Sequence, residues 1–510
     1  MLQVGCRGLG ERTNHGGHLG RGAERGTLTV RVTDTTRPWW TLFGACAGLF
    51  VLMLDSTIVT LALPVIRRDL DASASGLQWV VNTYLLVIAA LVITAGRLGD
   101  MFGRRRVFTT GLSVFAAGSA LSGAAWSQDA LIGGRIVQGT GAAMLLPLSL
   151  AIVCDAFPLA QQPRALGIWA SISAIALGVG PLIGGVLVDL DWRLIFWINV
   201  PILAVGVWVM IVAVRESRDE TATHELDYAG LALLAGALTA LVLPLAEAAN
   251  WALDSTQSLL LLAAAAVLFV GFWVTEHRVR QPIVDFELFR NGPYFGATAA
   301  AFGLVGSFWS LMFLQPQYLQ TTLGYSATIA GLLILPITVP MIVISPLAGP
   351  LIARFGARPL MTIGMLCALS GVVILALITR TSGYLLVLPG FLLFGVALGL
   401  VYAPMSTAAM SAMPRSKSGI ASGVLAMNRM LAGAVALALT GAVFQDLLPA
   451  HGFAVSLARA NLVLVGLIAA CTVLTWLFVR SAPGRPGFGA PVAAAPETIR
   501  HHQHHRRFHL

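Results

Sequence analysis

Two charged residues stand deep inside long apolar runs, and the chemistry open to them is proton binding rather than bond making. Asp55, in LDSTIVTLALP, lies about 15 residues into a run that opens near position 40, roughly 22 Å along a helix at 1.5 Å per residue. Arg135, in LIGGRIVQGTGAA, lies about six residues into another run. A charge at such depth in lipid costs several kcal/mol unless it is paired or protonated, so a functional role is the default reading. If the first run crosses in one direction and the second returns, the two side chains reach comparable depth. A carboxyl facing a guanidinium there can bind a proton when the pair parts and release it when the pair closes. A third charge, Arg429, lies about ten residues into a later run. With Thr57, Thr60 and Gln138 it makes up a candidate substrate cavity, although bonding the carbonyls of a broken helix is an equal alternative for Arg429. Glu247 ends a run beside Asn250 and Trp251 and reads as interfacial.

The elements that must position these residues follow from the solvent. Hydrophobic residues make up 57% of the chain and charged ones only 11%, against about 25% charged in a soluble domain, so the solvent is a bilayer. About 20 apolar residues cross a ~30 Å hydrocarbon core. On that rule fourteen spans are expected: 40–63, 79–97, 107–126, 130–153, 165–188, 194–214, 228–247, 257–275, 295–314, 330–352, 360–379, 384–404, 419–443 and 458–479. They must be helices, because lipid offers the backbone no partner and the runs are too long for barrel strands. Fourteen of the 32 basic residues then fall in loops on one side and five on the other, and the tails hold eleven. That bias predicts both termini in the cytoplasm and a multi-pass protein of the inner or plasma membrane. The first run is too long and too far from the start for a cleaved signal peptide, so it is expected to stay as span one.

Three stretches carry more detail than membrane crossing demands. The loop after span two reads GRLGDMFGRRRV, Gly96 to Val107. Its glycines permit close helix approach. Asp100 stands four residues before Arg104, a pair able to latch a gate with Gly96 and Gly103 around it. After span ten the frame recurs as GPLIARFGARP, Gly349 to Pro359, with Ala353 in place of the aspartate, so the second gate is expected to be weaker. Span five places Gly167, Gly178, Gly180, Pro181, Gly184 and Gly185 on one thin, bendable helix. Each interior glycine costs about 1 kcal/mol, which close packing must offset.

The Gly96–Val107 string resembles the signature loop of the major facilitator superfamily. The Gly-Pro-x-x-Gly-Gly of span five is similar to the motif that marks antiporters within it, except at Ala176, where the fuller pattern has another glycine. LDSTIVTLALP, WRLIFWINVP (Trp192 to Pro201) and GIASGVLAMNRM (Gly419 to Met430) resemble the fourteen-span drug:proton antiporters of the EmrB/QacA type, with Thr60 where that group usually has Asn. The resemblance covers about 39–480. It implies two six-helix bundles around a central cavity, with two helices inserted between them. The expected division is a disordered tail at 1–38, a bundle at 39–214, the insertion at 215–290, a second bundle at 291–479, and a disordered His-rich tail at 480–510. It also implies that Asp55 and Arg135 carry proton coupling, and that small amphipathic or cationic compounds are exported in exchange for protons.

Other classes fit less well. The formal charge of +9 is scattered between apolar runs rather than gathered on one face, so no nucleic acid is expected. There is no P-loop to bind ATP. A polytopic membrane enzyme would need carboxylates or histidines clustered at one membrane face, and no metal-ligand spacing appears outside the HHQHHRRFHL end. No pair of the five cysteines sits in outward loops, so no disulfide is expected. The partners expected are therefore a small molecule, protons and the bilayer, with no cofactor and no obligate protein partner. An importer or facilitator of a small metabolite on the same fold is the alternative. Trp309, Met312, Tyr318, Tyr402, Met405 and Met427 are further candidates for a greasy pocket or for plain packing.

Overall fold

The computed structural model describes residues 33, 36–158, 161–218, 227–247, 250–251, 254–279, 282–413 and 418–479. The tails, with Cys6 and the terminal histidines, lie outside these apart from residues 33 and 36–38. Where the first tail was expected to reach residue 38, α1 already begins at Arg37, with Pro38 in its first turn where a missing N–H costs nothing.

The described residues form helices throughout. They are α1 (Arg37–Asp69), α2 (Ala74–Phe102), α3 (Arg104–Gly123), α4 (Gln128–Ala156), α5 (Gln162–Leu190), the short α6 (Leu194–Trp197) with α7 (Asn199–Ala213), α8 (Tyr228–Ala246), α9 (Thr256–Glu276), α10 (Gly292–Gln317), α11 (Ala327–Phe355), α12 (Ala357–Leu375), α13 (Tyr384–Ser411), α14 (Ser418–His451) and α15 (Phe453–Phe478). A 3₁₀ turn precedes α10, and a π turn over Tyr318–Thr322 follows Pro316 near its end. Among the described residues, thirteen spans are long and apolar enough to cross a bilayer. The expected span at 107–126 is helical as α3 but falls below that mark, because it opens on Arg104, Arg105 and Arg106 and is rich in Gly, Ser and Thr. Most helices overrun the expected spans by a few residues, since capped ends extend past the hydrocarbon. Ser73, Ser127, Ser255 and Ser326 each accept a hydrogen bond from an N–H in the first turn of α2, α4, α9 and α11.

Helices α1–α7 pack as one bundle and α10–α15 as another; α8 and α9 pair with each other, and α8 lies against α2 and α14. The start of α1 and the end of α15 share one end of the molecule, here the terminal end: Trp39 meets Phe157 there, and Gly296 lies against Val479. At the opposite, far end the two bundles are stitched together. Asp189 of α5 accepts from the Ala327 and Thr328 N–H groups at the start of α11, at 3.1 and 3.0 Å. Gln320 donates to the Leu61 carbonyl, and Gln78 donates to the Leu437 carbonyl while accepting from Gln445.

Candidate functional site

The glycines of α5 decide where the bundles touch. A Cβ on Gly180 would overlap the Thr57 hydroxyl, and one on Gly184 would stand 2.7 Å from Ile58, so α5 lies directly on α1. A Cβ on Gly178 would strike Ile342, and one on Gly185 would stand 2.6 Å from the Ala327 carbonyl, so the same helix also lies on α11. The Pro181 carbonyl fills the space at Gly331. Toward the terminal end the two helices part: Gly167 and Gly349 have nothing within 4 Å of where a Cβ would stand. Gly167 therefore does not share the packing role of the other glycines.

Asp55 and Arg135 meet in the middle of the N-terminal bundle. Arg135 Nη1 donates to Asp55 Oδ2 at 2.6 Å, and the two side chains are 2% and 0% exposed, so the pair is sealed from solvent. The pair's own charges are bonded further, while Asn199 Oδ1 and the Tyr84 hydroxyl beside it are buried without a partner among the described residues. Asp55 Oδ1 accepts from Gln138 Nε2 at 2.7 Å and from Asn199 Nδ2 at 3.3 Å. Arg135 also reaches Gln138 Oε1 at 2.6 Å and the Val80 carbonyl at 3.1 Å, and its guanidinium lies 4.1 Å above the Tyr84 ring. Ser119 accepts from Asn199 at 2.9 Å and donates to the Phe196 carbonyl. A buried ion pair persists in a membrane only when its geometry is this complete. Asn199, fully buried in the first turn of α7, supplies the contact from that helix.

Sequence reasoning paired Asp55 with Arg135 but set Gln138 in a substrate cavity, whereas it is buried against the pair, and it missed Asn199, Ser119 and Tyr84. Asn199 stands as a lone amide inside WRLIFWINVP, which was signal enough; Ser119 and Tyr84 resemble many other small or aromatic residues on the spans. Thr57 and Thr60 are buried and donate to carbonyls of their own helix, so they line no open cavity in this conformation. Of the six pocket candidates, Trp309, Met312, Tyr318, Met405 and Met427 are buried in the core; Tyr402 is partly exposed, and Arg429 lies over its ring at 4.6 Å. Arg429 bonds the Ser406 hydroxyl at 2.6 Å rather than helix-break carbonyls. Glu247 caps α8 and accepts from Trp79 and Asn250.

The loop at Gly96–Val107 is held inside its own bundle. Arg104 bonds Asp100 at 2.8 Å and Asp155, at the end of α4, at 2.5 Å, and Ser217 donates to the same Asp155 oxygen. Gly103 turns with φ +108°, a conformation strained for any side chain, and Glu216 fills the space beside it while accepting from the Arg105 N–H. Gly99 accommodates Leu148, whereas Gly96 makes only ordinary contact with Pro147, so close approach depends on Gly99 and not on Gly96. In the second copy, Gly356 repeats the positive φ at +81°, but Ala353 supplies no carboxylate and Arg354 and Arg358 rest over Phe355 and Trp476 instead. Among the described residues no group of three His, Cys, Asp or Glu could hold a metal, and Cys46, Cys154, Cys367 and Cys471 are free thiols.

Two helical bundles joined through α5 with α11 and α2 with α14, each with polar groups inside, define a multi-pass membrane transporter rather than an enzyme. Residues 45–437 match the family model described as Major Facilitator Superfamily, and the chain belongs to that family. It is 37% identical over 412 residues to "Multidrug resistance protein Stp" of Mycobacterium tuberculosis (strain CDC 1551 / Oshkosh), covering 80% of this chain and 76% of that one. It is 34% identical over 411 residues to "Tetracenomycin C resistance and export protein" of Streptomyces glaucescens, with the same coverage of 80% and 76%. A crystal structure of a D-xylose-proton symporter superposes with a TM-score of 0.62 at 15% identity, covering 87% of this chain and 98% of that one, a likeness of fold alone.

Proposed function

We propose that the chain is a fourteen-span, proton-driven exporter of small amphipathic compounds, of the EmrB/QacA type, with both termini in the cytoplasm. In this reading α3 is the fourteenth span, its three arginines standing at the cytoplasmic face. The terminal end is then cytoplasmic, the stitched far end is outside, and the structure is inward-facing. The observation that carries the reading is the sealed Asp55–Arg135 pair. It is a charge that lipid penalises, and its bonding across α1 and α4, with Asn199 from α7, is set to change when those helices shift. Proton arrival from outside would part the pair and favour the return to the inward-facing form; release to the cytoplasm would let the pair close again. A potential of ~150 mV gives about 3.5 kcal/mol per proton, enough for a several-hundred-fold gradient of a neutral substrate. The name of one relative, a resistance and export protein, supports the direction of transport.

The test is transport in everted vesicles. On energisation with an inward-acid gradient, vesicles containing the chain should accumulate tetracenomycin C, the compound named for one relative, and a protonophore should empty them. Accumulation only in right-side-out vesicles would establish an importer instead. Accumulation that survives the protonophore would remove the proton from the mechanism.

A further inference from the structure

Arg429 lies eleven residues into α14, about 16 Å along the helix, yet it has no counter-ion. Among the described residues no carboxylate pairs with it, and its neighbours are the Ser406 hydroxyl and the Tyr402 ring, both on α13. Its Nε is buried and without a hydrogen-bond partner. A membrane-embedded cation left short of one donor contact and of all its charge balance is set for an acceptor that arrives from elsewhere.

The position is also reachable. Arg429, Tyr402 and Ser406 are all partly exposed, in contrast to the sealed Asp55–Arg135 pair. On α14, Arg429 falls between the face on α10, where Asn428 bonds the Thr298 carbonyl, and the face on α2, where Gly441 meets Gln78. Its guanidinium turns instead toward α13 and the partly exposed space beside Ser406 and Tyr402. Asp55 is already neutralised by Arg135, so the charge this space offers a ligand is positive.

We infer that Arg429, with Tyr402 and Ser406, forms a substrate subsite for the acidic group of a planar aromatic compound, a carboxylate or a phenolate. The guanidinium offers its charge and the Nη–H donors that Ser406 does not take to the anion, as a planar donor fork suits. Tyr402 holds that fork flat from one side and leaves the other for the ligand's ring. This deepens the export reading by naming a substrate class, since a cationic compound would meet only repulsion at Arg429.

An isosteric trio tests it on the purified full chain: 2-naphthoate, 2-naphthamide and 2-naphthyltrimethylammonium, each titrated by calorimetry. The wild type should bind the acid about 10-fold or more tightly than the amide, as one charged hydrogen bond implies, and the cation least. Arg429→Gln should erase that preference, so that acid and amide bind within about twofold of each other. Should Arg429→Gln fold poorly, Ser406→Asp places a carboxylate within reach of Nη2 and should erase the preference without removing the arginine. Equal binding of acid and amide by the wild type overturns the proposal, as does a preference that survives both substitutions. An acid preference in a chain that fails the vesicle test would sink only the export reading, and export without the preference would sink only the subsite.

Discussion

In the N-terminal bundle, the deep charges are matched: Asp55 meets Arg135, and Gln138, Asn199, Tyr84 and the Val80 carbonyl complete the bonding. In the C-terminal bundle, Arg429 stands with a hydroxyl and an aromatic ring, and nothing described there neutralises it. The loops differ the same way. Arg104 is gripped by Asp100 and Asp155, whereas the repeat at Gly349–Pro359 has no carboxylate and its arginines lie on aromatic rings. On the proposed reading, the two bundles divide the work. A charge whose partner is internal can switch a conformation, and a charge whose partner is missing can take a ligand.

The comparison breaks most sharply on removal of the cations. Arg135→Ala leaves Asp55 buried with two amides for company, and should cost about 3–5 kcal/mol of stability along with all transport. Arg429→Ala should cost less than about 1 kcal/mol, because no opposite charge is stranded. Denaturant melts of both variants in the same detergent check this, and equal losses would end the distinction between the bundles.

Asp55→Asn comes next. The amide keeps the shape of the site but cannot carry a charge-switching proton. Substrate movement driven by a pH gradient should vanish for neutral and charged compounds alike, while passive exchange of substrate across the protein continues. Sparing of the neutral compounds would mean that Asp55 meets cationic substrates directly. Undiminished transport of every compound would leave Asp55 without either role.

The smallest effects belong to the loops. Because Asp155 also holds Arg104, Asp100→Asn should lower the transport rate only several-fold, and the double substitution with Asp155→Asn should lower it by about another tenfold, as neighbours sharing one partner couple non-additively. Ala353→Asp in the repeat should change the rate less than either, since no arginine there waits for a carboxylate. Initial rates in vesicles rank the three, and a large effect of Ala353→Asp would show that the second loop is a gate in its own right.

Much of this was legible in advance for a simple physical reason. Lipid penalises unsatisfied backbone and isolated charge so heavily that apolar runs of spanning length must be helices, and that Asp55 and Arg135 stand out without any structure. Span three was harder to read by hydropathy, since its arginines and small polar residues dilute the apolar signal while packing against α4 and α7 holds it in place. The glycines of α5 announced close packing but not which neighbour each served, and the structure divides them between α1 and α11 and leaves Gly167 without a contact.

The sequence by itself determined the solvent, the helices, the repeat and the two charges that had to find each other, because each follows from composition, spacing and the cost of burying a charge. Only the tertiary structure decided that Asn199 and Ser119 join the Asp55 network, that Asp189 of one bundle caps a helix of the other, and that Arg429 has no counter-ion among the described residues. Those outcomes depend on which atoms from distant segments come within about 3 Å at defined angles, and hydrogen bonding is too short-ranged and too directional for spacing along one chain to specify it.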